Sequence, residues 1–240
     1  MTTEQKYNLY EQLLIEWNQK INLVAKSTLI DIRTRHINDS AQLADYIPKD
    51  KTVIDLGSGA GFPAVVLAIL GYRVFAVESI GKKCRFLEML AEKLDLPNLT
   101  VVNGRIPDVI SSILSAAAQH GGYRLPRLRG GKESAWRSGA EPSDSWVGIT
   151  QEKHALPHPR HTSKDPTPPP KPENFVFTAR AFAPLYRILD WTAKFKIPYV
   201  LLKGQGAENE IDAARGNHRF EATTAPSRFG DGHIIKLTTR

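Results

Sequence analysis

Apolar residues recur with two different periods along this chain, and the switches between them mark out its elements. Tyr10, Leu13, Leu14, Trp17 and Ile21 fall at helical spacing, with Glu11, Gln12, Glu16, Gln19 and Lys20 between them. That predicts one long amphipathic helix with an apolar face turned to a core. A second helical stretch is expected over 27–46, carrying Arg33, Arg35, His36, Asp39 and Ser40. From residue 52 the pattern changes: short apolar runs at 52–56, 73–78 and 99–103 read as buried strands, separated by helical patterns over about 62–70 and 82–94. Phe86, Leu87, Leu90, Ala91 and Leu94 share a face of the later helix, and Pro97-Asn98 stops it. Strands alternating with helices predict an α/β domain on a doubly wound, mostly parallel sheet.

The alternation stops after about Val109. Between Ser115 and Pro172 the only Leu, Ile, Val or Phe residues are Leu125, Leu128, Val147, Ile149 and Leu156, and nine of the sixteen prolines fall there. Such a stretch buries too little apolar surface to offset the entropy of ordering its backbone. Strand-like runs resume at 174–178, 199–202 and 233–237. The expected organisation is an N-terminal helical part (1–46) and an α/β domain (47–110 and 174–240), interrupted by a low-complexity, disordered insert (111–173). His154, His158 and His161 lie in that insert, where Pro157 and Pro159 prevent a helix that would align them, so no metal site is expected.

The densest chemical signal is Val53-Ile-Asp-Leu-Gly-Ser-Gly-Ala-Gly-Phe-Pro63. A strand ending in a carboxylate runs into three alternate glycines, a tight turn that lets a ligand come against bare backbone. The next strand-like run, Arg73 to Glu78, also ends in a carboxylate. A nicotinamide or flavin fingerprint needs Gly-x-Gly-x-x-Gly, so that a pyrophosphate can reach a helix N-terminus. Here the spacing is Gly57-x-Gly59-x-Gly61, followed by Phe62 and Pro63. S-adenosylmethionine has no phosphate and carries a cationic amino-acid end, which Asp55 suits, while Glu78 suits ribose hydroxyls. The loop therefore favours a methyltransferase over a nicotinamide-dependent oxidoreductase, with a plain glycine-rich turn as the blander alternative.

Composition narrows the partner. A net charge of +7 and a pI of about 9.5 suit an acidic partner such as nucleic acid, or simply a basic surface. Cys84 is the only cysteine, which excludes an intramolecular disulfide and a thiolate zinc cage, and its helical setting marks it as a packing residue. No unbroken apolar segment suggests a signal peptide or a membrane span, so a cytoplasmic protein is expected.

Several motifs occur together and in order: Leu13-Leu14, Trp17-Asn18 and Asn22-Leu23; Arg35-His36 with Asp39-Ser40; the Asp55–Pro63 loop; Glu78-Ser79, Lys82-Lys83 and Phe86-Leu87; Asn103 and Arg105; Ala179-Arg180-Ala181; Lys203-Gly204. With them the chain resembles the bacterial ribosomal RNA small-subunit methyltransferase G family, also called glucose-inhibited division protein B, over about 5–108 and 174–240. The resemblance implies a Rossmann-like methyltransferase with a small N-terminal helical part. It implies S-adenosylmethionine as cofactor, N7 of one guanine in 16S ribosomal RNA as target, and the RNA or the small subunit as partner; the protein itself is expected to be a monomer. By motif matching, Gly57 and Phe62 fall at cofactor-contacting positions, Ile106 and Pro107 where the family approaches the adenine, and Arg180 at a further cofactor-site arginine. Asp55, Gly59 and Glu78 complete the candidate set.

Two departures stand out: the insert, and a proline at 107, where the family commonly has a carboxylate and where a backbone donor is lost. Guanine N7 is an in-plane lone pair without a proton, so its methylation calls for positioning and electrostatics rather than a general base. Arg33, Arg35, Lys82, Lys83, Arg85 and Lys203 are candidate phosphate contacts. Phe62 and Trp17 are candidate stacking residues, with Trp17 better suited to the core. His36 and Asp39, about one turn apart, suit a structural pair better than a substrate-reading one. A basic RNA-binding or ribosome-assembly protein that has lost catalysis remains the alternative.

Overall fold

The structure, a computed structural model, describes residues 1–119 and 171–240. Helix α1 (Thr3–Asn18) starts at a capping box: Gln5 N–H donates to Thr2 Oγ1, and Thr2 N–H donates to Gln5 Oε1. The two bonds satisfy two backbone donors that a helix start leaves open. Its apolar stripe buries Tyr7, Tyr10 and Leu14. At the other end Asn18 Oδ1 accepts from the backbone N–H groups of Leu23 (3.0 Å) and Val24 (2.9 Å), and so turns the chain sharply out of the helix.

The stretch expected as one helix over 27–46 is instead a ribbon of changing pitch. It passes through 3-10 turns (Lys26–Asp31), a wide π-helical turn (Arg33–Asn38), the short α2 (Asp39–Ala41) and a last 3-10 turn (Gln42–Asp45). Within the wide turn the Arg35 carbonyl accepts from the Arg180 guanidinium (2.6 Å). A side-chain donor inserted at a helix carbonyl is a recognised source of such widening. The distortion brings His36 and Asp39 to bear on the same guanidinium.

Seven strands form one sheet in the order β3-β2-β1-β4-β5-β7-β6: β1 (Thr52–Leu56), β2 (Arg73–Glu78), β3 (Leu99–Asn103), β4 (Phe175–Arg180), β5 (Tyr199–Lys203), β6 (Phe220–Pro226) and β7 (His233–Thr239). The pairs among β1 to β5 are parallel; β7 runs antiparallel to both β5 and β6. Strand alternation divides the interior in two. Val53, Val74 and Ala76 face a core shared with α1, α3 (Ala64–Ile69) and α4 (Gly81–Lys93). Ile54, Leu56, Phe75 and Val77 face a second core under α5 (Ile106–Gln119), α6 (Leu185–Thr192) and α7 (Ala207–Arg215). The doubly wound, mostly parallel sheet is therefore as expected, and β1 with β4 flanks the point where strand order reverses, the place where open α/β sheets bind ligands.

The expected boundary of the insert needs correction. Residues 111–119 belong to α5, in which Ile106, Ile110, Ile113 and Ala117 form a buried stripe. Their spacing is helical, but small residues between them thin the apolar signal. At the other end, Pro172 and Glu173 belong to a 3-10 turn (Pro172–Asn174) that leads into β4, and residues 120–170 lie outside the described residues. Pro107 sits at the second position of α5, where the N–H has no intrahelical partner, so its missing donor costs the helix nothing. Helices α6 and α7 and strand β6 were not anticipated.

Strands on either side of residues 120–170 share one sheet, with β4 paired to β1 from Thr52↔Phe175 to Asp55↔Thr178. Doubling a loop's length costs only about 0.6 kcal/mol in closure entropy. Replacing residues 120–170 with a short flexible linker is thus expected to leave a single cooperative unfolding transition, with a midpoint no lower than that of the full chain. Loss of cooperativity in thermal unfolding followed by circular dichroism would make the segment an integral part of the fold.

Candidate active site

At the carboxyl edge of the sheet, the turn after β1 brings three glycines into the left-handed region: Gly57 (φ 71°), Gly59 (φ 56°) and Gly61 (φ 97°). Other residues are strained there. Space is short as well. A Cβ on Gly57 would lie 2.0 Å from the Phe182 ring, and one on Gly61 would lie 2.5 Å from Val65 and 2.8 Å from the Tyr10 hydroxyl. The turn is tied to its neighbours: Gly57 and Ser58 N–H donate to the Val77 carbonyl (2.9 and 3.0 Å), and Tyr10 donates to the Ala60 carbonyl (2.6 Å). Glu78 closes the arrangement. Its Oε2 accepts from Gly59 N–H (2.9 Å), and its Oε1 accepts from Ser79 and Ile80 N–H (both 2.8 Å).

A cleft of about 820 Å³ opens over this turn, a size suited to a small-molecule ligand. Of the residues singled out from the sequence, Gly57, Gly59, Phe62, Glu78, Ile106, Pro107 and Arg180 line it together. Asp55 does not. It is fully buried, with Oδ1 accepting from Thr178 Oγ1 (2.9 Å), because alternation along β1 turns its side chain into the layer beneath the loop. Burial pushes its carboxyl pKa up to about 6, and Asp55 lies beneath the turn rather than in the cleft lining.

Arg180, at the end of β4, is held on three sides by the N-terminal ribbon. Its Nε pairs with Asp39 Oδ2 (3.1 Å), Nη1 donates to His36 Nδ1 (2.9 Å), and Nη2 donates to the Arg35 carbonyl. Asp39 Oδ1 in turn accepts from Gln42 Nε2 (2.8 Å) and Ser227 Oγ (2.7 Å), tying in the β6–β7 hairpin. Both members of the ion pair are largely buried, and stripping one partner from such a pair costs about 3–5 kcal/mol. Because guanidinium has no acceptor, Nδ1 of His36 must be the accepting nitrogen. Its proton is therefore on Nε2, which donates to Thr28 Oγ1 (2.8 Å), and Thr28 donates to the Ala25 carbonyl (2.7 Å). Burial and the adjacent Arg180 and Arg35 push the His36 pKa down to about 4, which keeps the ring neutral.

Phe62 is enclosed on both faces: Tyr10 stacks at 5.1 Å between centroids and His36 at 5.0 Å. Trp17 lies against Phe86 in the core. Phe62 is thus covered, and Trp17, half-buried, does not line the cleft. The expected phosphate contacts also divide. Arg33 is paired with Glu4 and Glu11 on α1, and Lys203 is buried against Glu210. Lys83 lines the cleft and Arg85 is half-buried, while Arg35 and Lys82 are exposed. Cys84 is buried, its thiol pushed up to about 12 by burial, and it is no nucleophile. Among the described residues no cluster of metal-ligating side chains occurs, and no helix is long and apolar enough to cross a membrane. His154, His158 and His161 lie outside the described residues.

Thr28, Ser79, Ile80, Arg105, Phe182 and Trp191 also line the cleft. Ser79 and Arg105 stood inside motifs noted in the sequence. Phe182 follows Ala179-Arg180-Ala181 directly, the nearest thing to a signal for it. Trp191 carried none, since only α6 brings it to the cleft.

The two perturbed groups titrate in opposite senses. Below about pH 6.5 an unfolded His36 takes up a proton that the folded ring refuses until about pH 4, so this group destabilises the fold as pH falls through that window. Asp55, raised from 3.8 to about 6, binds its proton more readily when folded, so its contribution favours the fold at low pH and is lost as pH rises from about 4 to 6. In His36→Gln only the second remains. Urea denaturation is expected to show the wild type losing stability relative to His36→Gln between pH 6.5 and 4, by on the order of 1 kcal/mol given partial solvent screening of the ring. A difference that is constant with pH would mean that the folded ring titrates normally.

Comparison with known proteins gives the site a context. The model of the rRNA small subunit methyltransferase G family matches residues 3–117, ending within α5. The ribosomal RNA small subunit methyltransferase G of Gluconobacter oxydans is 31% identical over 241 residues, covering 98% of this chain and 93% of that protein. That of Caulobacter vibrioides is 48% identical over 105 residues, covering 42% of this chain and 48% of its own. Among solved structures, an O-methyltransferase from Bacillus cereus in complex with SAH has a TM-score of 0.51 at 13% identity (96% of this chain, 90% of that one). A putative O-methyltransferase from Klebsiella pneumoniae has a TM-score of 0.50 at 12% identity (96% and 90%). At such identities the structural likeness speaks for the fold. With the sequence match extending over nearly its whole length, the chain belongs to the ribosomal RNA small subunit methyltransferase G family.

Proposed function

We propose that this protein transfers a methyl group from S-adenosylmethionine to N7 of a guanine in 16S ribosomal RNA, on the RNA or the small subunit, in the cytoplasm. The observation that carries the reading is the turn of three left-handed glycines, braced by Glu78, at the switch point of a family member's sheet. The cleft residues fit the cofactor. A Cβ on Gly59 would touch only the Gly57 carbonyl oxygen, at 3.8 Å, so the turn presents bare backbone for the amino-acid end. Glu78 accepts three backbone N–H groups, which fills Oε1 and leaves one lone pair on Oε2 for a ribose hydroxyl. Ile80, Ile106 and Pro107 offer an apolar slot for the adenine, and Arg180 stands beside the loop. When bound, S-adenosylmethionine supplies an electrophilic methyl group on a sulfonium.

The same geometry disfavours a nicotinamide cofactor. A pyrophosphate would need the N-terminus of α3, yet Phe62 sits before it, sandwiched by Tyr10 and His36. Apart from Glu78, assigned to the ribose, the described cleft lining offers no free base: both ring nitrogens of His36 are engaged, and Asp55 lies below the wall. That suits guanine N7, which has no proton to lose. The chain's task is then to hold the cofactor, keep the site ordered through Arg180 and present the base in line. Lys83 and Arg105 at the cleft are placed to meet phosphates.

Two measurements test the reading. Calorimetry with S-adenosylhomocysteine is expected to give binding to the wild type and none to Gly57→Val, whose side chain would collide with Phe182; unchanged affinity in the variant sinks the loop assignment. Labelled methyl transfer to small subunits from a strain lacking this activity, followed by mapping, should place the label on guanine N7. Cofactor binding without methyl transfer would favour an RNA-binding or assembly protein that has lost catalysis.

A further inference from the structure

Accepting that activity, the methylated base must be unstacked from its neighbours before its edge can reach a methyl donor, and exposed bases are commonly held on aromatic faces. The cleft contains three aromatic residues besides His36: Phe62, Phe182 and Trp191. Phe62 is excluded because both its faces are covered. Phe182 and Trp191 are partly exposed, with their rings tilted against each other at 5.9 Å.

The segment carrying Phe182 is fixed at both ends. On its N-terminal side stands the Arg180 clamp, followed by Ala181 with φ at 49°, a left-handed alanine that the surroundings must hold in place. On its C-terminal side the buried Lys203 ammonium donates to the Ala183 carbonyl and pairs with Glu210 Oε2 (2.7 Å). Glu210 Oε2 also accepts from Leu185 N–H (2.7 Å), at the start of α6, where a carboxylate complements the helix dipole. Lys203 is buried while Glu210 stays about a third exposed, so a desolvated ammonium is committed to this four-residue turn, a costly way to support a mere connection. The turn leaves the Phe182 ring in the cleft wall, against the glycine where the cofactor loop begins.

We propose that Phe182, backed by Trp191, is the platform on which the target guanine stacks, and that the Lys203–Glu210 pair positions that platform. This rests on the methyltransferase reading. It places the purine beside Gly57, next to the amino-acid side of the cofactor slot and opposite the apolar residues assigned to the adenine. It also gives Lys203 a role in ordering the base site in place of the phosphate contact expected from the sequence.

The test uses the full chain and three variants. Phe182→Leu keeps apolar bulk over Gly57 but removes the π-face, Phe182→Tyr restores it, and Glu210→Gln loosens the turn. Methyl transfer to unmethylated small subunits and calorimetric affinity for S-adenosylhomocysteine are measured side by side. Phe182→Leu is expected to raise KM for the subunit on the order of 10- to 100-fold, in line with the loss of one base–aromatic stack. Its S-adenosylhomocysteine affinity should stay within about twofold of wild type, and Phe182→Tyr should recover most of the activity. Glu210→Gln should raise KM in the same direction without weakening S-adenosylhomocysteine. If Phe182→Leu weakens S-adenosylhomocysteine as much as it impairs transfer, the ring belongs to the cofactor and the proposal is overturned; normal transfer by Phe182→Leu overturns it equally. An inactive wild type would instead refute the methyltransferase reading itself.

Discussion

Arg180 stands at the end of a central strand, and all three of its acceptors come from one short segment of the N-terminal ribbon: the Asp39 carboxylate, His36 Nδ1 and the Arg35 carbonyl. Much else depends on that contact. The wide turn at 33–38 coincides with this contact, as expected where a side-chain donor meets a helix carbonyl. Without it His36 would lose the donor that fixes its tautomer, and with it the bond through Thr28 that shapes one wall of the cleft. Asp39 would keep Gln42 and Ser227 but remain a largely buried charge without its cation, the situation that proteins tolerate least.

The clamp also explains why the glycine turn can be so tightly confined. Three left-handed glycines give a flexible loop unless something orders it, because glycine loses the most conformational freedom on folding. Here the order comes from above and below. Tyr10, Phe62 and His36 form a stack that ends at the clamp and covers the start of α3. Beneath, Asp55 and Thr178 join β1 to β4, and Glu78 holds Gly59 from the next strand. The exposed face of the turn is left as bare backbone, which suits a ligand with a charged amino-acid end and excludes one that needs a helix N-terminus.

Much of this was legible in the sequence. Strands 1 to 3 showed as apolar runs with turn signals, and the glycine loop announced its own position because few other arrangements require three glycines at alternate residues. What sequence reasoning missed has physical causes. The face toward which Asp55 points depends on strand alternation relative to layers that only the fold defines, so a carboxylate apt for a ligand proved to be a buried strut. Residues 111–119 were joined to the proline-rich stretch that follows them, yet a stripe of Ile110, Ile113 and Ala117 makes a core helix when a sheet lies beneath it. Basic residues read alike in sequence, whereas the fold commits Arg33 and Lys203 to carboxylates and leaves Arg35 and Lys82 exposed. Phe182 gained its significance only once both faces of Phe62 were seen to be occupied.

Asp39 does not line the cleft, yet the account makes the cofactor site depend on it through Arg180. The most direct test is the calorimetric affinity of Asp39→Asn for S-adenosylhomocysteine, at a temperature where circular dichroism shows the variant folded. The predicted result is a loss of about tenfold or more, roughly the 1.4 kcal/mol expected when one charge-assisted contact loses its orientation. A folded variant that binds with unchanged affinity would contradict the claim that the ribbon orders the site through this arginine.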